Sequence, residues 1–157
     1  MPVYGLDFQR FHEHLIEITL EATIQPEQQL WLPVWIPGSY LVREFSRHIE
    51  AVQAQVDGQS VPVRKLSKNR WQVCHPVGGA LRLSYRVYAF DLSVRGSYVD
   101  QQRIYVNPAT CCLVVAGQES QPHQMRVQRP VGFEQATLVF VLVSGFSVQL
   151  LNAETEA

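Results

Sequence analysis

The stretch His12-Glu-His-Leu-Ile-Glu-Ile-Thr-Leu-Glu-Ala-Thr-Ile24 decides the fold, because apolar and polar side chains alternate along it. From Ile16 onward the even positions are apolar, and glutamate or threonine lies between them. A period of two is typical of a β-strand with one buried face. We therefore predict a strand over 12–24, ended by Pro26.

The same rhythm recurs along the chain. It predicts further strands over 47–56, 60–64, 70–75, 80–90, 103–106, 111–116, 124–128 and 136–143. The segment 30–36, which is apolar on both faces, is also predicted to be a strand. Asp57-Gly58 and Gly78-Gly79 predict hairpin turns. Residues 40–48 fit either one helical turn with Ser39 as N-cap or an irregular loop. Many short strands without a long amphipathic helix predict an all-β fold, an antiparallel sandwich or open barrel.

Composition and charge narrow the classes of function. The 157 residues fit one β-domain spanning 1–157. A net charge of −1 supplies no field for nucleic acid or an anionic membrane, so we expect neither partner. The first residues lack the apolar core of a secretory signal, and no apolar run reaches the length of a membrane span. We therefore expect a cytoplasmic protein.

The usual catalytic motifs fail on inspection. His12-Glu13-His14 suggests zinc, but Ile16 stands where the second histidine of the helical zinc motif belongs. Ser39 lacks the second glycine of a nucleophile elbow. The cysteines are odd in number, and two of them are adjacent, which indicates reduced, buried thiols. The residues predict no catalytic group, no metal ligand and no cofactor in this chain.

The segment Trp31–Phe45 does not have the composition of a plain connector. Prolines withhold backbone donors, a glycine permits positive φ, and aromatic side chains add apolar area. We interpret it as part of a protein that accompanies catalysis. Its candidate residues are Pro37, Gly38, Ser39, Tyr40, Arg43, Glu44 and Phe45.

A second segment, Tyr88–Asp100, places Asp91, Arg95 and Asp100 around the bend at Gly96. An arginine between carboxylates can lock a loop, or the same charges can receive a ligand carboxylate or a neighbouring domain. The candidate loop-locking residues are Asp91, Arg95, Tyr98, Asp100 and Asn107.

At these two segments the chain resembles a known family. Trp-Ile-Pro-Gly-Ser-Tyr-Leu-Val-Arg-Glu-Phe (35–45), Arg-His-Ile (47–49) and Asp-Leu-Ser-Val-Arg (91–95), with Tyr98-Val-Asp100 and Asn107, are similar to the N-terminal β-domain of the glycyl aminopeptidases. Those proteins are zinc metallopeptidases with a thermolysin-like catalytic domain and a PDZ domain. The resemblance covers about residues 3–135.

The resemblance implies an antiparallel, saddle-like β-sandwich, similar to the first domain of zinc aminopeptidases. Such a domain packs on a zinc catalytic domain, whose ligands do not occur before Ala157. We therefore expect a non-catalytic domain that is not an enzyme by itself. Its expected partner is the zinc catalytic domain of the same or a split polypeptide, and the zinc belongs there. The resemblance implies that the candidate residues of the segment Trp31–Phe45 form a domain-interface or substrate-side loop. Residues 136–157 are atypical for the family and suggest a truncated or frameshifted product, a split gene or a designed boundary.

Two alternatives remain open from the sequence. The chain could be a stand-alone β-sandwich that binds extended peptides at a free sheet edge. It could also bind carbohydrate through Trp31, Trp35 and Trp71, although core packing explains these rings equally well.

Overall fold

The computed structural model describes residues 1–34, 44–92, 96–128 and 130, together with the backbone of Phe146–Leu151. Its regular elements are strands and three short 3₁₀ turns, Phe11–Glu13, Phe45–His48 and Pro108–Thr110. The strands are β1 (Val3–Asp7), β2 (Leu15–Ile24), β3 (Gln29–Trp31), β4 (Ile49–Val56), β5 (Gln59–Val61), β6 (Val63–Ser67), β7 (Arg70–Val73), β8 (Gly79–Tyr88), β9 (Tyr98–Val99), β10 (Ile104–Tyr105), β11 (Val114–Val115), β12 (His123–Gln128) and β13 (Phe146–Leu151). Within this part of the chain, no helix has the length and hydropathy needed to cross a bilayer.

The strands form two main sheets. The large sheet has the order β13-β12-β1-β2-β8-β4-β5, and the small sheet has the order β11-β3-β7-β6. Strands β9 and β10 form a separate ribbon. Strand β12 runs parallel to β1, and β13 runs parallel to β12, whereas the other named pairs are antiparallel. The predicted all-β sandwich is confirmed, with two parallel pairings at one side of the large sheet.

The core lies between the sheets. Alternation in β2 directs Ile16, Ile18 and Leu20 inward, and each is at most 1% exposed. From the small sheet, Leu30 and Trp71 join the same apolar cluster. Burial of each such aliphatic side chain stabilises the fold by roughly 1.5–3 kcal/mol. This two-sided core positions the loops at the ends of the strands.

The hairpin predicted at Asp57-Gly58 is confirmed. Val56 pairs with Gln59, so only two residues connect β4 and β5. Asp57 has φ 50° and Gly58 has φ 80°, the two positive angles that a type I′ turn requires.

Two other turn and strand predictions are wrong. The segment 60–64 is split at Pro62, because β5 belongs to the large sheet and β6 to the small sheet. Gly78-Gly79 does not close a hairpin, since β7 lies in the small sheet and β8 in the large sheet. The chain crosses between the layers here. A Cβ on Gly78 would collide with the carbonyl oxygen of Ile24, which explains the glycine.

Several predicted boundaries also shift. The strand predicted over 12–24 begins at Leu15, because Phe11–Glu13 is a 3₁₀ turn and His14 has a left-handed φ of 59°. Of the segment 40–48, the described part forms the 3₁₀ turn Phe45–His48. The strand predicted over 136–143 lies outside the described residues, as do positions 35 and 36 of the strand predicted over 30–36.

Candidate functional site

A groove of about 690 Å³ lies beside the 3₁₀ turn Phe45–His48 and the end of β8. Glu44 and Phe45 line it from the first loop that the sequence singled out. Asp91 and Gly96 line it from the second. The fold therefore brings the two segments, separated by some forty residues of sequence, to one site.

The groove carries exposed apolar side chains. Tyr88 is 44% exposed, Phe90 is 51% exposed and Leu92 is 71% exposed. Tyr88 ends β8 and Phe90 forms a bridge with Tyr98, and all three exposed side chains line the groove. These are three of six large hydrophobic side chains that are exposed among the described residues. An apolar cluster of this kind is typical of a surface that another protein segment covers.

The exposed ring of Phe90 is held by its neighbours. Its centroid lies 4.2 Å from that of His14 and 5.4 Å from that of Tyr98. The Nδ1 atom of His14 donates a hydrogen bond of 2.7 Å to the carbonyl oxygen of Val99. The aromatic surface is thus anchored to the β9–β10 ribbon.

The charged residues at the groove already have partners. The Nζ atom of Lys68 donates to Glu44 Oε1 at 2.7 Å, and this hydrogen bond lowers the pKa of the Glu44 carboxyl. The Nε atom of Arg47 donates to His48 Nε2 at 3.2 Å. An accepting Nε2 requires a neutral imidazole. Burial and the Arg47 charge both lower the pKa of His48, which also favours the neutral imidazole.

A buried polar network lies behind one side of the groove. The hydroxyls of Ser97 and Thr110 are hydrogen-bonded at 2.8 Å. The backbone amide of Asn107 donates to Ser97 Oγ at 3.0 Å, and Thr110 Oγ1 donates to the backbone carbonyl of Asn107 at 2.8 Å. Sequence reasoning identified Asn107 but missed Ser97 and Thr110. No sequence signal marks two isolated small polar residues as buried partners.

Asp100 organises the turn between β9 and β10. Its carboxylate accepts from the Tyr98 hydroxyl at 2.7 Å and from the amides of Gln102 and Arg103 at 2.7 and 2.8 Å. Burial alone raises the pKa of Asp100, but these hydrogen bonds outweigh it and lower the pKa. Asp91 is exposed at the groove, and its amide donates to the Ser97 carbonyl at 3.1 Å. Arg95, the third member of the predicted charge cluster, lies outside the described residues.

The other predicted loop residues, Pro37, Gly38, Ser39, Tyr40 and Arg43, also lie outside the described residues. Of the zinc-like triplet, His12 is exposed and Glu13 is paired with Arg10 at 2.5 Å. In the part of the chain that the structure describes, no group of three or more histidine, cysteine or acidic side chains could hold a metal ion.

Trp71, which the carbohydrate hypothesis invoked, is 4% exposed and belongs to the core. Trp31 is half-buried, and its Nε1 donates to Glu119 at 3.1 Å. Trp35 is outside the described residues. The two described tryptophans therefore form no shared stacking platform in the groove.

Two solved structures are similar to this chain to different degrees. An aminopeptidase N family protein from Idiomarina loihiensis shares 42% sequence identity and a TM-score of 0.79, over 83% of this chain and 22% of that chain. The present chain thus spans about a fifth of the length of that protein. An M1 zinc metallopeptidase from Deinococcus radiodurans, solved with a Tyr-Ser-Ala substrate, shares 20% identity and a TM-score of 0.38, over 60% of this chain and 21% of that chain. No curated protein matches the chain.

The family comparison is the more direct one. The family model described as the peptidase M61 N-terminal domain matches residues 3–141, which is most of the chain. The expectation of an aminopeptidase N-terminal β-domain is thereby confirmed. This chain belongs to the peptidase M61 N-terminal domain family.

Proposed function

We propose that this chain is a non-catalytic domain that packs against, and supports, the zinc catalytic domain of an M61 peptidase. The observation that carries the proposal is the exposed apolar series Tyr88, Phe90 and Leu92 at the groove. In an isolated domain this surface faces water, whereas a second domain would bury it. The zinc ion belongs to that second domain, and the β-domain contributes packing and position.

The groove has the properties of an interdomain contact. Such contacts within one chain are moderately sized and more polar than permanent interfaces. Here an aromatic centre is bordered by charges that are already paired, as in Glu44–Lys68. Burying a paired rim costs less than burying isolated charges. The likeness to a protein of which this chain covers only 22% supports the existence of a domain that could occupy the groove.

The alternative of a stand-alone peptide-binding module has little support at the sheet edges formed by β5 and β6. Peptide addition needs a free, regular sheet edge. Strand β6 lies at an edge of the small sheet, but it carries Arg64 and Lys65 and a register shift between Lys65 and Ser67. Strand β5, at an edge of the large sheet, has three residues and ends before Pro62. Charges, bulges and short strands are features that oppose edge pairing.

A hybrid protein tests the proposal. Residues 3–141 would replace the matching region of the Idiomarina loihiensis protein, and unfolding would be followed by calorimetry. We expect the hybrid to unfold in one transition, because the two domains stabilise each other. The double substitution Phe90→Ser and Leu92→Ser should separate the β-domain transition from the rest.

Val77→Ser provides the matched control, because Val77 is 63% exposed and does not line the groove. The isolated β-domain with the double substitution is the reference, because losing the contacts of Phe90 with His14 and Tyr98 lowers its own melting temperature. The loss in the hybrid should exceed that of the isolated domain. If the double variant of the hybrid unfolds like the Val77 control, the groove is not the interdomain surface.

A further inference from the structure

Two adjacent cysteines lie in the core next to the groove. The Sγ atoms of Cys111 and Cys112 are 3.9 Å apart, and both thiols are free. Cys111 is fully buried, and Cys112 is 3% exposed. The preceding residue, Thr110, lines the groove. The pair is therefore next to the candidate interface in sequence and is sealed from solvent in the folded state.

The backbone around the pair connects the two sheets. The Tyr85 hydroxyl, from β8, donates to the Cys111 carbonyl at 2.7 Å and accepts from the Leu113 amide at 3.1 Å. The Cys112 amide donates to the Pro108 carbonyl at 2.7 Å. The peptide unit between the two cysteines thus supplies both an acceptor and a donor to the core.

The closed state protects the thiols. The hydrogen bond with Cys111 and the burial of the site raise the pKa of Cys112, so the reactive thiolate is suppressed. Reaction requires local opening. The pair is followed by β11, a two-residue strand at an edge of the small sheet as described, and short edge elements open more readily than the core.

We propose that Cys111 and Cys112 form a redox switch, in which a small disulfide such as oxidised glutathione converts the dithiol into a vicinal disulfide. In the opened segment, one cysteine thiolate attacks the small disulfide, forms a mixed disulfide and releases one thiol. The thiolate of the second cysteine then attacks the protein sulfur of the mixed disulfide. This step forms the vicinal disulfide and releases the second thiol. Two cysteine S–H bonds are lost and one S–S bond forms, while the small disulfide gains two electrons and two protons.

The disulfide cannot form without moving the backbone. An S–S bond of about 2.05 Å is roughly half the present separation of the sulfur atoms. Consecutive Cα atoms are about 3.8 Å apart across a trans peptide, whereas the Cα atoms of a disulfide are usually about 4.4–6.8 Å apart, so closing the bond requires the peptide between the cysteines to rotate. This rotation redirects the carbonyl of Cys111 away from Tyr85 and the amide of Cys112 away from Pro108. The oxidised domain is therefore less stable and altered at Thr110.

The test uses the full chain with Cys74→Ser, which removes the half-buried third thiol. The protein is equilibrated in glutathione buffers from fully reduced to fully oxidised, and its peptides are identified by mass spectrometry. We expect the peptide with Cys111 and Cys112 to lose two hydrogens without gaining glutathione, and to recover them with dithiothreitol. The melting temperature should fall by roughly 4 °C or more on oxidation.

A second variant separates the switch from general damage. In Tyr85→Phe the bond to Cys111 is already absent, so oxidation should lower the melting temperature by less than in the Tyr85 protein. Equal shifts in the two proteins would overturn the coupling through Tyr85. A pair that stays reduced, or carries only glutathione adducts, in the most oxidising buffer would overturn the switch itself.

Discussion

The imidazole ring of His14 lies 4.2 Å from the ring of Phe90, centroid to centroid, at an interplanar angle of 45°. His14 occupies the left-handed position that precedes β2, and its Nδ1 atom bonds the Val99 carbonyl. The ring of Phe90 is thus half exposed, and its buried side packs against His14. Ordering an aromatic side chain before association reduces the entropy that binding must overcome. Because of this contact, we consider the groove preorganised for binding a partner domain.

The Asp100 turn should be required for the stability of this region. Asp100→Ala removes the acceptor of the Tyr98 hydroxyl and of two backbone amides. We expect a loss of about 1–2 kcal/mol in the free energy of unfolding, measured in urea. Asp100→Asn should cost less, because its carbonyl oxygen still accepts from the amides. Equal stability of the alanine variant and the wild type would argue against a locking role.

Tyr85 should contribute more stability than Tyr4. Tyr85→Phe removes a hydroxyl that donates to Cys111 and accepts from Leu113, whereas Tyr4→Phe removes one described bond, to the Leu113 carbonyl at 2.6 Å. Both hydroxyls are buried, so each loss leaves backbone groups without a partner. We expect about 1–3 kcal/mol for Tyr85→Phe and a smaller loss for Tyr4→Phe by chemical denaturation. The reverse order would contradict this account.

Gly58 should not tolerate a side chain, although there is space for one. Its φ of 80° is unfavourable for alanine, so Gly58→Ala should destabilise the domain by about 1 kcal/mol. Gly5→Ala is the control, because its nearest neighbour would be Thr19 at an ordinary 3.9 Å. The two variants would be compared by thermal unfolding, and equal losses would exclude backbone strain as the cause at Gly58.

The type I′ hairpin and the alternation of β2 were predictable because they depend on residues close in sequence. The points at which the chain crosses from one sheet to the other were not predictable, because Pro62 and Gly78 act through residues that are distant in sequence. Gly78, for example, is required by the approach of Ile24. The parallel placement of β12 beside β1 likewise depends on the whole topology. Sequence alone therefore yields the class of the fold but not the order of its strands.

The candidate site shows the same division. The unusual composition around Glu44 and Asp91 identified both segments, and the structure adds that they line one groove. The contributions of Phe90 and Leu92 were not predicted, because Phe90 is the last residue of the strand predicted over 80–90 and Leu92 lies beyond it. His14 was considered as a metal ligand rather than as an aromatic neighbour. Its contact with Phe90 depends on a turn that propensity did not reveal.

Acid should destabilise the domain partly through His123. This residue is 5% exposed and stacks on Tyr4 at 6.1 Å, and burial is the largest cause of its lowered pKa. Because the folded state disfavours the charged ring, this contribution to stability is present above about pH 6.5 and is lost as the pH falls through the lowered folded pKa. The free energy of unfolding should decrease between about pH 7.5 and pH 5.

His123→Phe keeps an aromatic ring against Tyr4 and removes the titration. Its stability should fall less than that of the wild type over the same interval. Parallel pH curves for the two proteins would show that other groups cause the loss.

The most direct measurement of the central claim is amide hydrogen exchange of this β-domain, alone and within the hybrid with the Idiomarina loihiensis protein. The account predicts slower exchange in the hybrid at Phe45–His48 and at residues 88–92, around the groove. The exposed β6 edge should exchange at the same rate in both proteins. Unchanged exchange around the groove, with new protection elsewhere, would contradict the claim that this surface packs on the catalytic domain.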